Sequence, residues 1–144
     1  MSYGWRYDYS AARLSPSDDI PAFLLPARER AAVAAGLPNT ELQQVLVTEY
    51  ETGAGIGWHR DKAVFGEVVA LSLVAPCRLR FRRRLGSTWE RRAIEVKPRS
   101  LYLLRGPARH DWEHSVPPVP ALRYAITFRT LAETSPQARA RPAR

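Results

Sequence analysis

The sequence has little of what secreted and membrane proteins contain. Its 144 residues include a single cysteine, Cys77, which excludes a disulfide bond within the chain. Such low cysteine usage is typical of a reducing compartment. No apolar run is long enough to cross a bilayer, and the N-terminus lacks the apolar segment of a signal peptide. We therefore expect a cytoplasmic protein without a membrane partner.

Positive charge is in excess. The chain has 22 Lys and Arg residues against 14 Asp and Glu residues, which gives a formal net charge of +8. This excess favours polyanionic partners, and nucleic acid comes first among them. The alternative is a charge that serves solubility, enlarged by Arg139, Arg141 and Arg144 near the C-terminus.

The residue pattern predicts one mainly β domain, 23–131. A helix is expected over 27–35, because Pro26 precedes this segment and Gly36 ends it. Short β-branched or aromatic segments separated by turns follow it and predict an antiparallel sandwich or jelly roll. The predicted strands are 43–50, 67–74, 78–83, 92–96, 100–104 and 123–130. Residues 1–22 are expected to form an irregular arm or lid, and residues 132–144 a disordered basic tail.

The segment GWHRDK places a histidine and a carboxylate two positions apart. In a strand, His59 and Asp61 would point to one side, while Trp58, Arg60 and Lys62 would point to the other. A simple His–Asp hydrogen bond on a sheet surface is the commoner meaning of such a pair. A third ligand would favour a metal site instead.

Only two other histidines, His110 and His114, can supply that ligand. Two histidines and one carboxylate on one face of a metal leave the opposite positions open, as in non-haem Fe(II) oxygenases. Zinc with the same ligands would indicate a hydrolase. We favour His114, at the start of a β segment, and expect His110 to lie in a pocket or on the surface.

The segment RYAITFR carries two arginines on one face. Arg123 and Arg129 flank the small residues Ala125 and Thr127, so both guanidinium groups have room to converge on a small dicarboxylate. Two exposed arginines on an edge strand are the alternative.

A row of arginines follows the segment CRLRFRRR. Arg78, Arg80 and Arg82 share one face of the predicted strand. This row either follows a phosphate backbone or forms an exposed face balanced by Glu90 and Glu95.

Three segments in order, EYETGAGIGWHRD, LYLLRGPARHDWEHS and RYAITFR, resemble the AlkB-type Fe(II)/2-oxoglutarate dioxygenases. The resemblance implies a double-stranded β-helix, which is a jelly roll, with the N-terminal helix packed outside. It implies Fe(II), 2-oxoglutarate and O2 as cofactor and co-substrates. The resemblance also assigns residues: the expected metal ligands are His59, Asp61 and His114, and the expected 2-oxoglutarate contacts are Tyr50, Arg123 and Arg129.

The resemblance further implies oxidative demethylation of N-alkyl groups on nucleic acid, in alkylation repair or RNA demethylation, by a monomer. Candidate substrate contacts are Trp5, Tyr7, Arg60 and His110, with Tyr9 as a further aromatic. Thr48 and Ala125 replace asparagines of the better-studied repair members, Ala63 replaces an acidic residue, and the N-terminal lid is expected to be short. A protein or tRNA substrate is therefore the alternative, and a non-catalytic basic jelly roll that binds nucleic acid is the second.

Overall fold

The computed structural model describes residues 1–139 and contains two antiparallel sheets and one hairpin. Its strands are β1 Ser2–Tyr3, β2 Trp5–Asp8, β3 Arg13–Pro16, β4 Gln44–Tyr50, β5 Ile56–His59, β6 Phe65–Leu73, β7 Cys77–Leu85, β8 Thr88–Val96, β9 Ser100–Leu104, β10 Glu113–Val116 and β11 Arg123–Leu131. Its α-helices are α1 Leu25–Ala35, α2 Pro107–His110 and α3 Pro136–Arg139, and two 3-10 turns span Ala22–Leu24 and Asn39–Glu41.

The two sheets face each other and enclose the interior. The major sheet has the order β1-β4-β11-β6-β9 and the minor sheet the order β5-β10-β7-β8. One internal cavity is lined from both sheets, by Leu46 and Thr127 on the major side and by Leu79 and Val116 on the minor side. This arrangement confirms the predicted mainly β jelly-roll fold.

Helix α1 covers the outer side of the major sheet, as predicted. Ala31, Ala32 and Ala35 are buried with Phe128 of β11, because small side chains let the helix lie close to the strands. Gly36 ends the helix in a left-handed conformation at φ 66°, where its N–H is bonded to Ala32 and Val33 carbonyls. The helix begins at Leu25, slightly before the predicted start.

The N-terminal segment is more regular than predicted. Instead of an irregular arm, it forms a β2–β3 hairpin, and β1 joins the edge of the major sheet through Ser2 paired with Leu46. The turn of the hairpin is built by Asp8, whose Oδ1 accepts hydrogen bonds from the N–H groups of Ser10 and Ala11. Asp8 supplied a turn signal that the sequence analysis missed.

The predicted tail contains ordered structure at its start. Residues 132–135 form a turn in which Ser135 is buried, and helix α3 follows it. Residues 140–144 lie outside the described residues. None of the helices in the described part of the chain combines the length and apolar character needed to cross a membrane.

Candidate metal centre and co-substrate pocket

The minor sheet brings two histidines side by side. His59 is the last residue of β5 and lies directly opposite His114 of β10 in the antiparallel register. The two ring centroids are 4.2 Å apart. Cross-strand partners point to the same face of a sheet. The register therefore selects His114 as the neighbour of His59, whereas His110 lies exposed at the end of α2.

Asp61 completes a cluster of three possible ligands. Its Oδ1 lies 3.8 Å from Nε2 of His59 and 3.6 Å from Nε2 of His114. One donor atom from each residue lies within 4.8 Å of the others. Strand β5 ends at His59, so Asp61 reaches the cluster from the loop rather than by strand alternation.

The donor set fits a divalent metal such as Fe(II). Two imidazole nitrogens and one carboxylate oxygen form the facial set of non-haem iron sites. Nδ1 of His59 lies 2.9 Å from the carbonyl oxygen of Gly57. A carbonyl can only accept, so this contact favours the tautomer with the proton on Nδ1, which leaves Nε2 available to a metal.

The electrostatic surroundings favour the unprotonated forms of Asp61 and His114. Burial alone would raise the pKa of Asp61, but the neighbouring Arg129 outweighs it and lowers that pKa below its usual value. Burial and the adjacent His59 lower the pKa of His114 to about 4. Metals bind the carboxylate and the neutral imidazole, so both pKa shifts favour the metal-binding forms of Asp61 and His114.

Arg129 links the metal cluster to the major sheet. Its Nε donates to Oδ2 of Asp61 at 2.6 Å, and its Nη1 donates to Oε1 of Gln44 at 2.9 Å. Gln44 is buried and is the cross-strand partner of Arg129. The sequence analysis expected Arg129 at the co-substrate, and the structure adds its direct bond to Asp61. The sequence analysis missed Gln44, because only the register of β4 against β11 places it beside Arg129.

Arg123 is a buried cation that forms no ion pair with any residue in the described part of the chain. It is 4% exposed, its Nε has no hydrogen-bond partner, and its Nη1 lies 3.5 Å from Oγ of Ser72. The guanidinium lies 4.5 Å from the ring centroid of Tyr50, its cross-strand partner. A buried charge of this kind is costly unless an anion pairs with it. The pocket therefore suits one carboxylate of a bound acid.

Both arginines open onto one interior cavity. Arg123, Arg129 and the small residues Ala125 and Thr127 line it together with the three possible metal ligands. Ala125 pairs across the sheet with Thr48, so the two residues that replace asparagines of the family pattern lie at one register position. A dicarboxylate between the two guanidinium groups would lie next to the metal.

A wide cleft leads from the surface to His59 and Asp61. Tyr7 and Tyr9 line it, with their rings in an edge-to-face contact at 5.0 Å. Nζ of Lys62 lies 5.5 and 5.2 Å from these two ring centroids. Lys62 is a cleft residue that the sequence analysis assigned to the opposite face.

Of the other candidate substrate residues, Arg60 lines this cleft, whereas Trp5 and His110 do not. Trp5 packs instead against the buried cluster of Leu14, Phe65 and Leu131, and it does not line the described cleft. This packing corresponds to the alternative in which an aromatic covers the barrel edge. Arg60 lines the cleft, and it also lines an adjacent groove of about 730 Å³ together with His110.

Arg109 holds the loop that follows Asp61. Its Nε donates to the carbonyl of Gly66, and its Nη2 donates to those of Lys62 and Phe65, at 2.7 to 3.0 Å. Arg109 is 5% exposed. No pattern in the sequence indicated this role, because the three acceptors are backbone atoms more than 40 residues away.

Comparison with known proteins agrees with this site. A family model described as the 2OG-Fe(II) oxygenase superfamily matches residues 2–129. The "Alkylated DNA repair protein ALKBH8 homolog" of Arabidopsis thaliana is 30% identical over 139 residues, covering 80% of this chain and 40% of that protein. The "tRNA (carboxymethyluridine(34)-5-O)-methyltransferase alkbh8" of Xenopus tropicalis is 28% identical over 121 residues, covering 81% of this chain and 19% of that protein. The chain spans less than half the length of these curated relatives.

A solved structure shares the fold. The structure of OsALKBH1 matches with a TM-score of 0.60 at 18% identity, covering 90% of this chain and 77% of that chain.

The fold and the family match together define an oxidative dioxygenase: the chain belongs to the 2OG-Fe(II) oxygenase superfamily. Its similarity to the ALKBH8 homolog supports the AlkB type within that superfamily, and the family implies Fe(II), 2-oxoglutarate and O2, with His59, Asp61 and His114 as the candidate iron site. The predicted enzyme class and cofactors are thereby confirmed. The family match contradicts the alternative of a non-catalytic jelly roll that only binds nucleic acid.

Proposed function

We propose that the enzyme oxidatively removes N-alkyl groups from bases of nucleic acid. The observation that carries the proposal is the open cleft in which Tyr7, Tyr9 and Lys62 lie on the path to His59 and Asp61. Aromatic faces stack on planar bases, and a lysine beside them attracts phosphate. The names of two relatives, one for alkylated DNA repair and one for a tRNA methyltransferase, support the same substrate class.

Different side chains of this protein would bind the metal, the co-substrate and the substrate. His59, Asp61 and His114 would hold Fe(II), and Arg123 and Arg129 would hold the carboxylates of 2-oxoglutarate. When bound, Fe(II) and 2-oxoglutarate would supply the O2-dependent hydroxylation of the N-alkyl carbon; 2-oxoglutarate would become succinate and CO2, and a hydroxylated N-methyl group would leave as formaldehyde. The tyrosine-lined cleft would place the alkyl carbon against the metal.

A mass-spectrometric screen tests the substrate class. Methylated DNA, RNA, tRNA and peptides are incubated with the enzyme, Fe(II), 2-oxoglutarate and ascorbate. We expect formaldehyde and the loss of a methyl mass from nucleic acid and not from peptides. Loss of the methyl mass from peptides alone would overturn the proposal and favour a protein substrate.

Two exposed aromatics provide a matched pair for the cleft. Tyr9 is 77% exposed in the cleft, and Phe23 is 75% exposed outside it. Tyr9→Ala should raise KM for a methylated oligonucleotide about tenfold, because a stacked base contributes roughly 1–3 kcal/mol. Phe23→Ala should leave KM unchanged. Equal effects of the two changes would contradict a role of the cleft in binding the base.

A further inference from the structure

The outer face of the minor sheet carries a cluster of arginines and tryptophans on the side away from the metal centre. We call it the arginine–tryptophan face. It consists of Trp58, Arg78, Arg80, Arg82, Arg84, Trp89 and Arg91. His59 and His114 point from the same sheet into the interior, so this face is separate from the catalytic cleft.

Three of the five arginines of this face stack on its indoles. The guanidinium of Arg82 lies between two indoles, 4.5 Å from the ring of Trp58 and 4.2 Å from that of Trp89. Arg80 lies 5.1 Å from Trp58, and Arg84 lies 4.9 Å from Trp89. Such stacking fixes guanidinium planes before a ligand arrives, which reduces the entropy lost on binding.

Acidic residues on the same face do not neutralise it. The two glutamates that share the face, Glu95 and Glu113, stand against five arginines. Glu113 pairs with Arg82 at 2.7 Å, whereas no ion pair joins Arg78 to Glu95 although they are cross-strand partners. Glu90, which the sequence analysis considered as a balancing charge, pairs instead with Arg83 and Arg92 on the opposite side of the hairpin.

The geometry points to a phosphodiester chain as the partner. We propose that the arginine–tryptophan face binds the backbone of nucleic acid outside the catalytic cleft. Arg80, Arg82 and Arg84 alternate along β7, about 6.6 Å apart, which is comparable to the separation of successive phosphates on one strand. Guanidinium forks bind phosphate oxygens in pairs, and indoles stack on unpaired bases.

The position of the face connects it with the cleft. Trp58 belongs to β5, which is the edge strand of the minor sheet. Arg60, two residues further, lines the cleft that leads to Asp61. A chain lying across the face can therefore pass over β5 to the metal centre. The inference goes beyond the proposed function, because binding here does not depend on which atom is oxidised.

Salt-dependent binding tests this inference. The probes are a fluorescein-labelled unmodified RNA of about 20 nucleotides and a DNA duplex of similar length, each titrated with the full chain by anisotropy between about 50 and 200 mM KCl. The double change Arg84→Gln and Arg91→Gln should reduce the slope of log Kobs against log salt by roughly 1.4 for RNA, about 0.7 for each lost phosphate contact. Affinity should fall several-fold at the lower salt.

Neighbouring arginines on opposite faces give the control. Arg91 belongs to the arginine–tryptophan face, whereas Arg92 bonds to Glu90 on the other side of the same strand. Arg91→Gln should lower the slope and Arg92→Gln should leave it unchanged, although each removes one positive charge. Circular dichroism confirms that each variant is folded.

Several outcomes would overturn the inference. One is unchanged RNA affinity in the double variant, and another is an equal loss with Arg92→Gln, which would indicate net charge alone. A third is displacement of the RNA by poly-glutamate as readily as by unlabelled RNA, which would indicate an acidic protein as partner. Failure of the proposed function is separate, because loss of formaldehyde release from nucleic acid would leave the anisotropy result intact.

Discussion

The carboxylate of Asp61 is shared between the metal centre and Arg129. Its Oδ1 faces the two imidazoles, and its Oδ2 accepts a hydrogen bond of 2.6 Å from Nε of Arg129. The arginine thus orients a metal ligand from behind, while its own remaining donors lie at the cavity that suits the co-substrate. We therefore expect metal binding and 2-oxoglutarate binding to depend on this one side chain.

Arg129→Met should weaken the binding of both the metal and 2-oxoglutarate. Loss of a group that orients a metal ligand typically costs about 10- to 100-fold in metal affinity. We expect weaker Mn(II) binding by calorimetry and a raised KM for 2-oxoglutarate in a succinate assay. Arg105→Met removes an ion pair with Glu67 at the surface and serves as the control. Unchanged metal affinity in Arg129→Met would exclude the orienting role.

Arg123→Met should weaken the binding of 2-oxoglutarate without weakening the binding of the metal. Its guanidinium lies in the cavity beside Tyr50 and makes no direct contact with Asp61. A lost charge-assisted hydrogen bond costs about 1.5–3 kcal/mol, so KM for 2-oxoglutarate should rise about 10- to 100-fold. Mn(II) affinity should stay as in the parent enzyme. Arg78→Met, on the exposed end of β7, should change neither quantity, and an unaltered KM in Arg123→Met would contradict the pocket assignment.

Arg109→Met should destabilise the fold. The change leaves three carbonyl acceptors without their buried donor, and each unsatisfied group costs about 1–3 kcal/mol. We expect the free energy of unfolding in urea to fall by about 3 kcal/mol or more. Arg60→Met, at an exposed arginine, should stay within about 0.5 kcal/mol. Similar losses of unfolding free energy in the two variants would show that Arg109 does not stabilise the loop after Asp61.

Two glycines before His59 should respond differently to alanine. A Cβ at Gly55 would lie 2.7 Å from the carbonyl oxygen of Val116 and 2.9 Å from the nitrogen of Pro118. At Gly57 nothing lies within 4 Å. Backbone atoms cannot move aside cheaply, so Gly55→Ala should lower the free energy of unfolding by about 1–3 kcal/mol.

Gly57→Ala should have little effect on stability. Thermal unfolding of both variants, monitored by circular dichroism, checks the comparison. If Gly55→Ala unfolds at the same temperature as Gly57→Ala, strand β5 does not pack against residues 116–118 as described.

Acid should destabilise the metal-free protein through His114. Burial holds the pKa of His114 at about 4, below its ordinary value of 6.5, so the unfolded chain binds more protons between these pH values. The contribution of neutral His114 to the free energy of unfolding is therefore complete above about pH 6.5, and it falls as the pH drops towards 4. Between about pH 7.5 and 5 the loss should be about 2 kcal/mol.

Urea titrations at several pH values measure this slope. Asp61, whose pKa is lowered mainly through Arg129 against the cost of burial, adds a loss at lower pH, because its folded pKa lies below the unfolded value. In His114→Gln the slope between about pH 7.5 and 5 should be reduced. A slope identical to that of the parent would assign the acid sensitivity to other groups.

The sequence by itself determined the chemistry that is available. Three histidines, one HxD pair and two arginines flanking Ala125 and Thr127 limited the possible sites to a few combinations. Strand alternation is a local property of two residues per repeat, so the common face of Arg123 and Arg129 could be read from the chain. The position of helix α1 followed from equally local proline and glycine signals.

Only the tertiary structure decided which groups meet. The register of β10 against β5 paired His114 with His59, and the register of β11 against β4 placed Gln44 beside Arg129. The bonds of Arg109 to backbone carbonyls, and the contact of Arg82 with the indole of Trp58, join elements far apart in the chain. Register between distant strands depends on the packing of the whole barrel, and no local period of the sequence encodes it.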